Sequence, residues 1–154
     1  MREQALAADG TLDTQSSALA PLTEPVGLLL AADATRSDEL FLRHKTSVRA
    51  RYDEAWRAAE AARCFDTLFF NERDELTEGG RSNVFVKIDG RWWTPPLACG
   101  VLPGIMRAAV LADPAWQAAE RTITRTMLAA ADDIMVCNAL RGALRAYVKA
   151  PSNL

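Results

Sequence analysis

Cysteine, tyrosine and histidine are scarce in this chain, with three, two and one respectively among 154 residues. Cys64, Cys99 and Cys137 are odd in number and widely spaced, which leaves neither a disulfide framework nor a zinc pattern. Free cysteines of this kind serve as small buried hydrophobes, and no metal is expected. Excess positive charge is also missing: the formal net charge is −2, so no basic field draws nucleic acid or anionic lipid. No apolar run nears the roughly 18 residues of a membrane span, the longest covering residues 26–32. Met1-Arg2-Glu3-Gln4 lacks the charged-then-apolar order of a signal peptide, so the cytoplasm is the expected location. A small-molecule substrate is the expected partner, with no nucleic acid and no membrane.

What is present is ordinary globular usage, 49% hydrophobic and 25% charged, in a length that suits one folded domain. Residues 1–24 are rich in Ala, Thr, Ser and Asp, show no sustained period, and read as a linker or entry segment before a domain over residues 25–154. Residues 26–31 form a short continuous apolar run, as in a strand buried on both faces. Residues 46–63 place Val48, Tyr52, Ala55, Trp56, Ala59 and Ala62 at helical spacing, predicting a helix that begins just after Lys45.

Further along, residues 67–71 and 84–88 are β-rich, and Asp89-Gly90 is a hairpin signal leading into residues 91–94. Pro103-Gly104 opens a helix over residues 105–112 that Asp113-Pro114 ends. Alternation over residues 121–126, a short helix over 127–131 and β-rich residues 134–137 and 143–148 complete the chain. Strands interleave with helices while hairpins recur, so the expected fold is α/β, with a mixed sheet curved around a site.

Two segments carry chemistry. In Leu76-Thr77-Glu78-Gly79-Gly80-Arg81-Ser82-Asn83, paired glycines allow close backbone approach, so a tight turn at a sheet end can present Glu78 to a site; a solvated polar turn is the plainer reading. In Thr94-Pro95-Pro96-Leu97-Ala98-Cys99-Gly100-Val101-Leu102-Pro103-Gly104-Ile105-Met106-Arg107, a helix start gathers unpaired backbone N–H groups around residues 104–106, where a phosphate can bind; simple turn punctuation is the alternative.

Taken in order with His44-Lys45-Thr46-Ser47-Val48-Arg49, these blocks resemble the consecutive signatures of class IV aminotransferases and aminodeoxychorismate lyases, pyridoxal-phosphate enzymes of fold type IV. The likeness runs from about residue 42 to residue 148. It implies the larger C-terminal, cofactor-binding domain of that fold, a pseudo-barrel with flanking helices, with pyridoxal 5'-phosphate as cofactor. Lys45 would be the Schiff-base lysine and proton shuttle, and Glu78 would pair with the pyridine nitrogen. Ile105 and Met106 would offer backbone N–H groups to the phosphate. Asn138 and Ala139, within Asp133-Ile134-Met135-Val136-Cys137-Asn138-Ala139-Leu140-Arg141-Gly142, would approach it too, although many lyase-like members carry a hydroxyl residue where Ala139 stands.

Arg49 and Tyr52 would reach the cofactor's phenolic oxygen or a substrate carboxylate, or else be a solvated arginine and a core-facing tyrosine. His44 reads as a packing neighbour of the lysine, and Trp92 and Trp93 as core residues able to stack on a ligand. The combination of His-Lys-Thr, the following Arg and Tyr, and Cys-Asn-Ala-Leu-Arg-Gly most resembles the lyase module of fused aminodeoxychorismate synthase-lyase proteins. By that resemblance the substrate is 4-amino-4-deoxychorismate, and the products are 4-aminobenzoate and pyruvate, a step toward folate. A branched-chain or D-amino-acid aminotransferase and a truncated, non-catalytic family member are the alternatives. Only about forty residues precede Lys45, so the family's smaller N-terminal domain is expected to be absent. An upstream domain of a longer polypeptide, or a homodimer, is the expected protein partner.

Overall fold

The computed structural model describes residues 2–6, 8–16, 18–38 and 50–150. The expected linker contains a two-stranded antiparallel hairpin, β1 (Arg2–Leu6) and β2 (Leu12–Ser16), in the register Leu6↔Leu12. Asp9 Oδ1 closes its turn by accepting from the Thr11 N–H (2.9 Å) and hydroxyl (2.6 Å). An Asx turn of this kind nucleates a hairpin without hydrophobic alternation in the strands, the signal on which a strand prediction depends.

The remaining strands form one eight-stranded mixed sheet, in the order β5-β4-β3-β10-β9-β6-β7-β8. They are β3 (Val26–Leu30), β4 (Asp66–Phe70), β5 (Leu76–Gly79), β6 (Asn83–Ile88), β7 (Arg91–Thr94), β8 (Ala118–Glu120), β9 (Asp133–Asn138) and β10 (Gly142–Val148). β3 runs parallel to both β4 and β10, and β7 parallel to β8, whereas the other neighbours are antiparallel. The sheet curls until its ends approach: the Leu76 N–H donates to Ile123 O (2.7 Å), and Glu75 bridges Thr124 just after β8. This is the half-barrel that the resemblance implies.

Side-chain alternation explains the layers. On β6, Val84 and Val86 face the half-barrel core, where they join Leu28, Leu68, Leu76 and Val136. Phe85 points to the other face and packs with Val110, Met135 and Cys137 under helix α2 (Ile105–Ala112). A strand buried on both faces reads as a continuous apolar run, which is why this segment was legible. Each such fully buried side chain contributes about 1.5–3 kcal/mol of transfer free energy. Helix α1 (Ala50–Ala61) covers β4, with Tyr52 edge-on to Phe69 (centroids 5.0 Å apart) and the Thr67 hydroxyl donating to Ala55 O (3.0 Å). Residues 46–49, the predicted start of this helix, lie outside the described residues.

Two local features depart from the sequence expectation. Residues 121–124 alternate but form no ladder strand; they make the closure onto β5, and the strand β8 precedes them. Helix α3 (Arg125–Ala129) begins earlier than predicted because the Thr124 hydroxyl caps it, accepting from the Met127 N–H (3.3 Å). The β6–β7 turn is as predicted: Asp89 and Gly90 both take positive φ (52° and 78°), the geometry of a two-residue hairpin loop. Helix α1 ends in a Schellman arrangement, with the Cys64 N–H donating to Ala59 O and the Arg63 N–H to Glu60 O, and Arg63 sits left-handed at φ 57°. Among the described residues, no helix is long and apolar enough to cross a membrane, and no group of His, Cys, Asp and Glu could hold a metal ion. All three cysteines are buried and unpaired.

Candidate active site

The turn between β5 and β6 carries Glu78 and Asn83 at its two ends. Glu78 is 6% exposed, and a carboxylate so buried must be hydrogen-bonded to be tolerated. The Leu102 N–H donates to its Oε2 (2.9 Å), the Asn83 amide to the same oxygen (3.3 Å), and the Tyr52 hydroxyl to Oε1 (3.3 Å). Tyr52 therefore reaches Glu78 from α1 as well as packing on Phe69. The carboxylate is fixed from three segments of chain, so it is not the solvated turn residue of the plainer reading.

Asn83 also donates to Leu102 O (3.0 Å), tying the Glu78 turn to the segment that enters α2. Gly104 is the N-cap of α2, in an extended conformation that any residue adopts (φ −68°, ψ 143°). The requirement for glycine is steric, since a Cβ there would overlap Asn83 Oδ1 and lie 3.2 Å from its Cγ. No side chain caps α2, and Ile105 at its first position is 80% exposed. The N–H groups of Ile105 and Met106 thus stand at an open helix start, which favours an anion.

Asn138 ends β9 beside this turn, because Cys137 pairs with Asn83 across the sheet. Its Oδ1 accepts from the N–H groups of Leu140 (3.1 Å) and Arg141 (2.8 Å), and its Nδ2 donates to Arg81 O (3.2 Å). The side chain of Asn138 is accordingly committed to shaping the loop, with Ala139 exposed on it. Glu78, Asn83, Leu102, the α2 start and Asn138 come together at one end of the sheet. Lys45, Arg49 and His44 lie outside the described residues.

Trp92 and Trp93 sit elsewhere, on β7. Trp92 packs with the Phe85 cluster, and Trp93 packs on the half-barrel core with Arg91 over its ring (4.7 Å). Arg107 is 5% exposed and anchors α2 to the sheet through Pro95 O (2.9 Å) and an ion pair with Glu120, while its Nε is buried with no hydrogen-bond partner.

Asn83 and Leu102 join the site without a signal of their own in the sequence. Both lie inside the motifs, but nothing local announces a contact spanning 19 residues. The donor chemistry fits pyridoxal phosphate: a buried carboxylate suits a protonated ring nitrogen, and an uncapped helix start suits a phosphate. Leu102 and Ile105 are three residues apart, so at most about 10 Å of chain separates the two features.

The model of the amino-transferase class IV family matches residues 2–146, and the chain belongs to that family, whose cofactor is pyridoxal phosphate. A Mesorhizobium loti protein assigned as an amino-acid aminotransferase is 35% identical, covering 96% of this chain and 72% of its own, with a TM-score of 0.81. A Legionella pneumophila protein assigned as a 4-amino-4-deoxychorismate lyase is 26% identical over 89% of this chain and 52% of its own, also at 0.81. A Mycobacterium tuberculosis hypothetical aminotransferase in its PLP-bound form shares the fold at 20% identity and a TM-score of 0.71, covering 80% of this chain and 47% of its own. The chain therefore spans 72% of the first and about half of the other two. No curated protein matches it significantly.

Proposed function

We propose that this chain is the cofactor-holding domain of a pyridoxal-phosphate-dependent 4-amino-4-deoxychorismate lyase, which releases pyruvate and forms 4-aminobenzoate for folate synthesis in the cytoplasm. The observation that carries the cofactor assignment is the fixed, buried Glu78 beside the uncapped start of α2. The lyase assignment is supported by His44-Lys45-Thr46 with Arg49 and Tyr52, by Cys137-Asn138-Ala139-Leu140-Arg141-Gly142, and by the likeness to the Legionella pneumophila protein.

When bound, pyridoxal phosphate supplies an electron sink conjugated to the substrate's amine-bearing carbon. Glu78 would pair with the ring nitrogen and favour its protonated form, which keeps that sink strong. Lys45 Nζ takes the proton from the amine-bearing ring carbon of the substrate, and the C–O bond to the enolpyruvyl group breaks at the adjacent carbon. The ring becomes aromatic, and the departing enol takes up a proton to become pyruvate. The N–H groups of Ile105 and Met106, together with the loop at Asn138 and Ala139, would hold the phosphate.

A second reading, an amino-acid aminotransferase, is favoured by the higher identity to the Mesorhizobium loti protein. Branched-chain and D-amino acids are its candidate substrates. Both readings use Lys45 and Glu78, because the two reactions diverge in the substrate-facing loops. The chain spans 72% of the Mesorhizobium loti protein and about half of the other two, and a homodimer or an upstream domain of a longer polypeptide is the partner proposed for it. The experiment supplies the chain with pyridoxal phosphate and 4-amino-4-deoxychorismate, in a parallel assay with amino and keto acids. Equal release of 4-aminobenzoate and pyruvate is expected; transamination without either product would replace the lyase reading.

A further inference from the structure

We propose that Asp66 is a positioning residue for Glu78, acting through the turn over residues 79–82; this inference rests on the reading of Glu78 as the cofactor's anchor. Asp66 opens β4 and is fully buried at 0% exposure. Its Oδ1 accepts from the Thr67 N–H (2.9 Å), and its Oδ2 accepts from the Ser82 hydroxyl (2.5 Å) and the Arg81 N–H (3.1 Å). The turn wraps this carboxylate so closely that a Cβ on Gly79 would lie 2.9 Å from Asp66 Cγ and 2.7 Å from Ser82 Oγ. A Cβ on Gly80 would meet Asp66 Oδ1 at 3.2 Å. The paired glycines are therefore explained by Asp66.

The turn is pinned on its other side as well. The Gly79 N–H donates to Ser82 O (2.7 Å), and the Gly80 N–H donates to Thr67 O (3.1 Å). Glu78 and Asn83 flank the turn, so its two ends reach the site while its middle is held on Asp66. The Arg81 guanidinium lies over the Phe65 ring (4.4 Å) and donates to Phe65 O, leaving its backbone N–H to Asp66.

A buried carboxylate is an expensive way to fill space. Desolvation raises the pKa of Asp66 above its ordinary value, against the lowering effect of the Ser82, Thr67 and Arg81 hydrogen bonds. An apolar side chain would pack at less cost but could not gather these donors. What Asp66 adds is a single turn geometry, and with it a single placement of Glu78 against Leu102.

A general loss of packing would loosen the whole sheet, whereas loss of positioning should be read at Leu102, whose N–H donates to Glu78. Amide hydrogen exchange on the full chain distinguishes the two. In Asp66→Asn, whose single carbonyl oxygen cannot serve both the Thr67 N–H on one side and the Arg81 N–H and Ser82 hydroxyl on the other, the Arg81 and Leu102 amides should exchange about tenfold faster, with Val86 and Val136 unchanged. Ser82→Ala removes one donor alone and should move the same two amides by about threefold, which keeps the test available if Asp66→Asn fails to fold. Uniform acceleration of all amides, or acceleration at Arg81 with Leu102 unmoved, would overturn the proposal.

A spectroscopic arm separates this inference from the reading beneath it. The absorbance of chain loaded with pyridoxal phosphate is titrated with pH in Asp66→Asn, Glu78→Gln and the double variant. Asp66→Asn should shift the titration in the same direction as Glu78→Gln and add nothing to it. A response at Leu102 with no spectral change in any of the three variants upholds the positioning role and refutes Glu78 as the cofactor's anchor. A further shift on adding Asp66→Asn to Glu78→Gln contradicts action through Glu78.

Discussion

Replacing Gly104 with alanine isolates the contact that joins the two halves of the site. The backbone there is extended, so alanine meets no strain; freezing out unfolded conformations would by itself stabilise the protein by about 0.4–1 kcal/mol. The new Cβ, however, would overlap Asn83 Oδ1. Asn83 must move, breaking its hydrogen bonds to Leu102 O (3.0 Å) and Glu78 Oε2 (3.3 Å). A neutral hydrogen bond contributes about 1 kcal/mol and one to a charged group about 1.5–3 kcal/mol, with a value at the low end for the longer 3.3 Å bond to Glu78. After the entropic gain is subtracted, Gly104→Ala should be destabilised by about 1–2 kcal/mol in urea unfolding. In an Asn83→Ala background the overlap disappears, and the same substitution should be neutral or stabilising. A Gly104→Ala protein as stable as the parent would refute the reasoning.

Arg63 holds the left-handed position of the Schellman motif that ends α1, where glycine is usual, and Arg63→Gly should raise stability by about 0.5–1 kcal/mol; a loss in urea unfolding would contradict this. Arg73 and Asn71 hold the Glu75 carboxyl down at about 2, so its contribution is present above its ordinary value of 4.5 and is lost as pH falls toward 2. A shift of that size is worth up to about 3 kcal/mol, and solvent around the half-exposed Arg73 reduces it to about 1–2 kcal/mol. Glu75→Gln should flatten the stability loss between pH 6 and pH 2 by about that amount, while Asp66, raised by burial, works in the opposite direction and gains stability as it protonates. Met106→Ala should change pyridoxal phosphate affinity by less than about 1 kcal/mol, since the backbone N–H is the donor; a tenfold weakening would point to a side-chain contact.

The parts of the fold that were legible are those whose signals are local. Asp89-Gly90 fixes a hairpin through its own backbone preferences, and Pro103-Gly104 with Asp113-Pro114 brackets α2. The hidden parts depend on partners far along the chain. Residues 121–124 alternate like a strand, yet the Arg121 N–H donates to Thr94 O on β7 while Ile123 and Thr124 close the barrel onto β5, which no local pattern reveals. Glu78 stood out because a carboxylate beside paired glycines is unusual, whereas Asp66 stood in an apolar run with nothing to mark it as the acceptor of a turn 15 residues ahead. The β1–β2 hairpin was obscured by polar strands whose turn rests on one aspartate side chain.

The central claim is that this chain holds pyridoxal phosphate covalently at Lys45, with Glu78 and the start of α2 as the surrounding clamp. Borohydride reduction of chain loaded with pyridoxal phosphate, followed by peptide mapping, tests it directly. The label is expected on Lys45 and should vanish in Lys45→Ala. A label on Lys87 or Lys149, the chain's other two lysines, would contradict the claim.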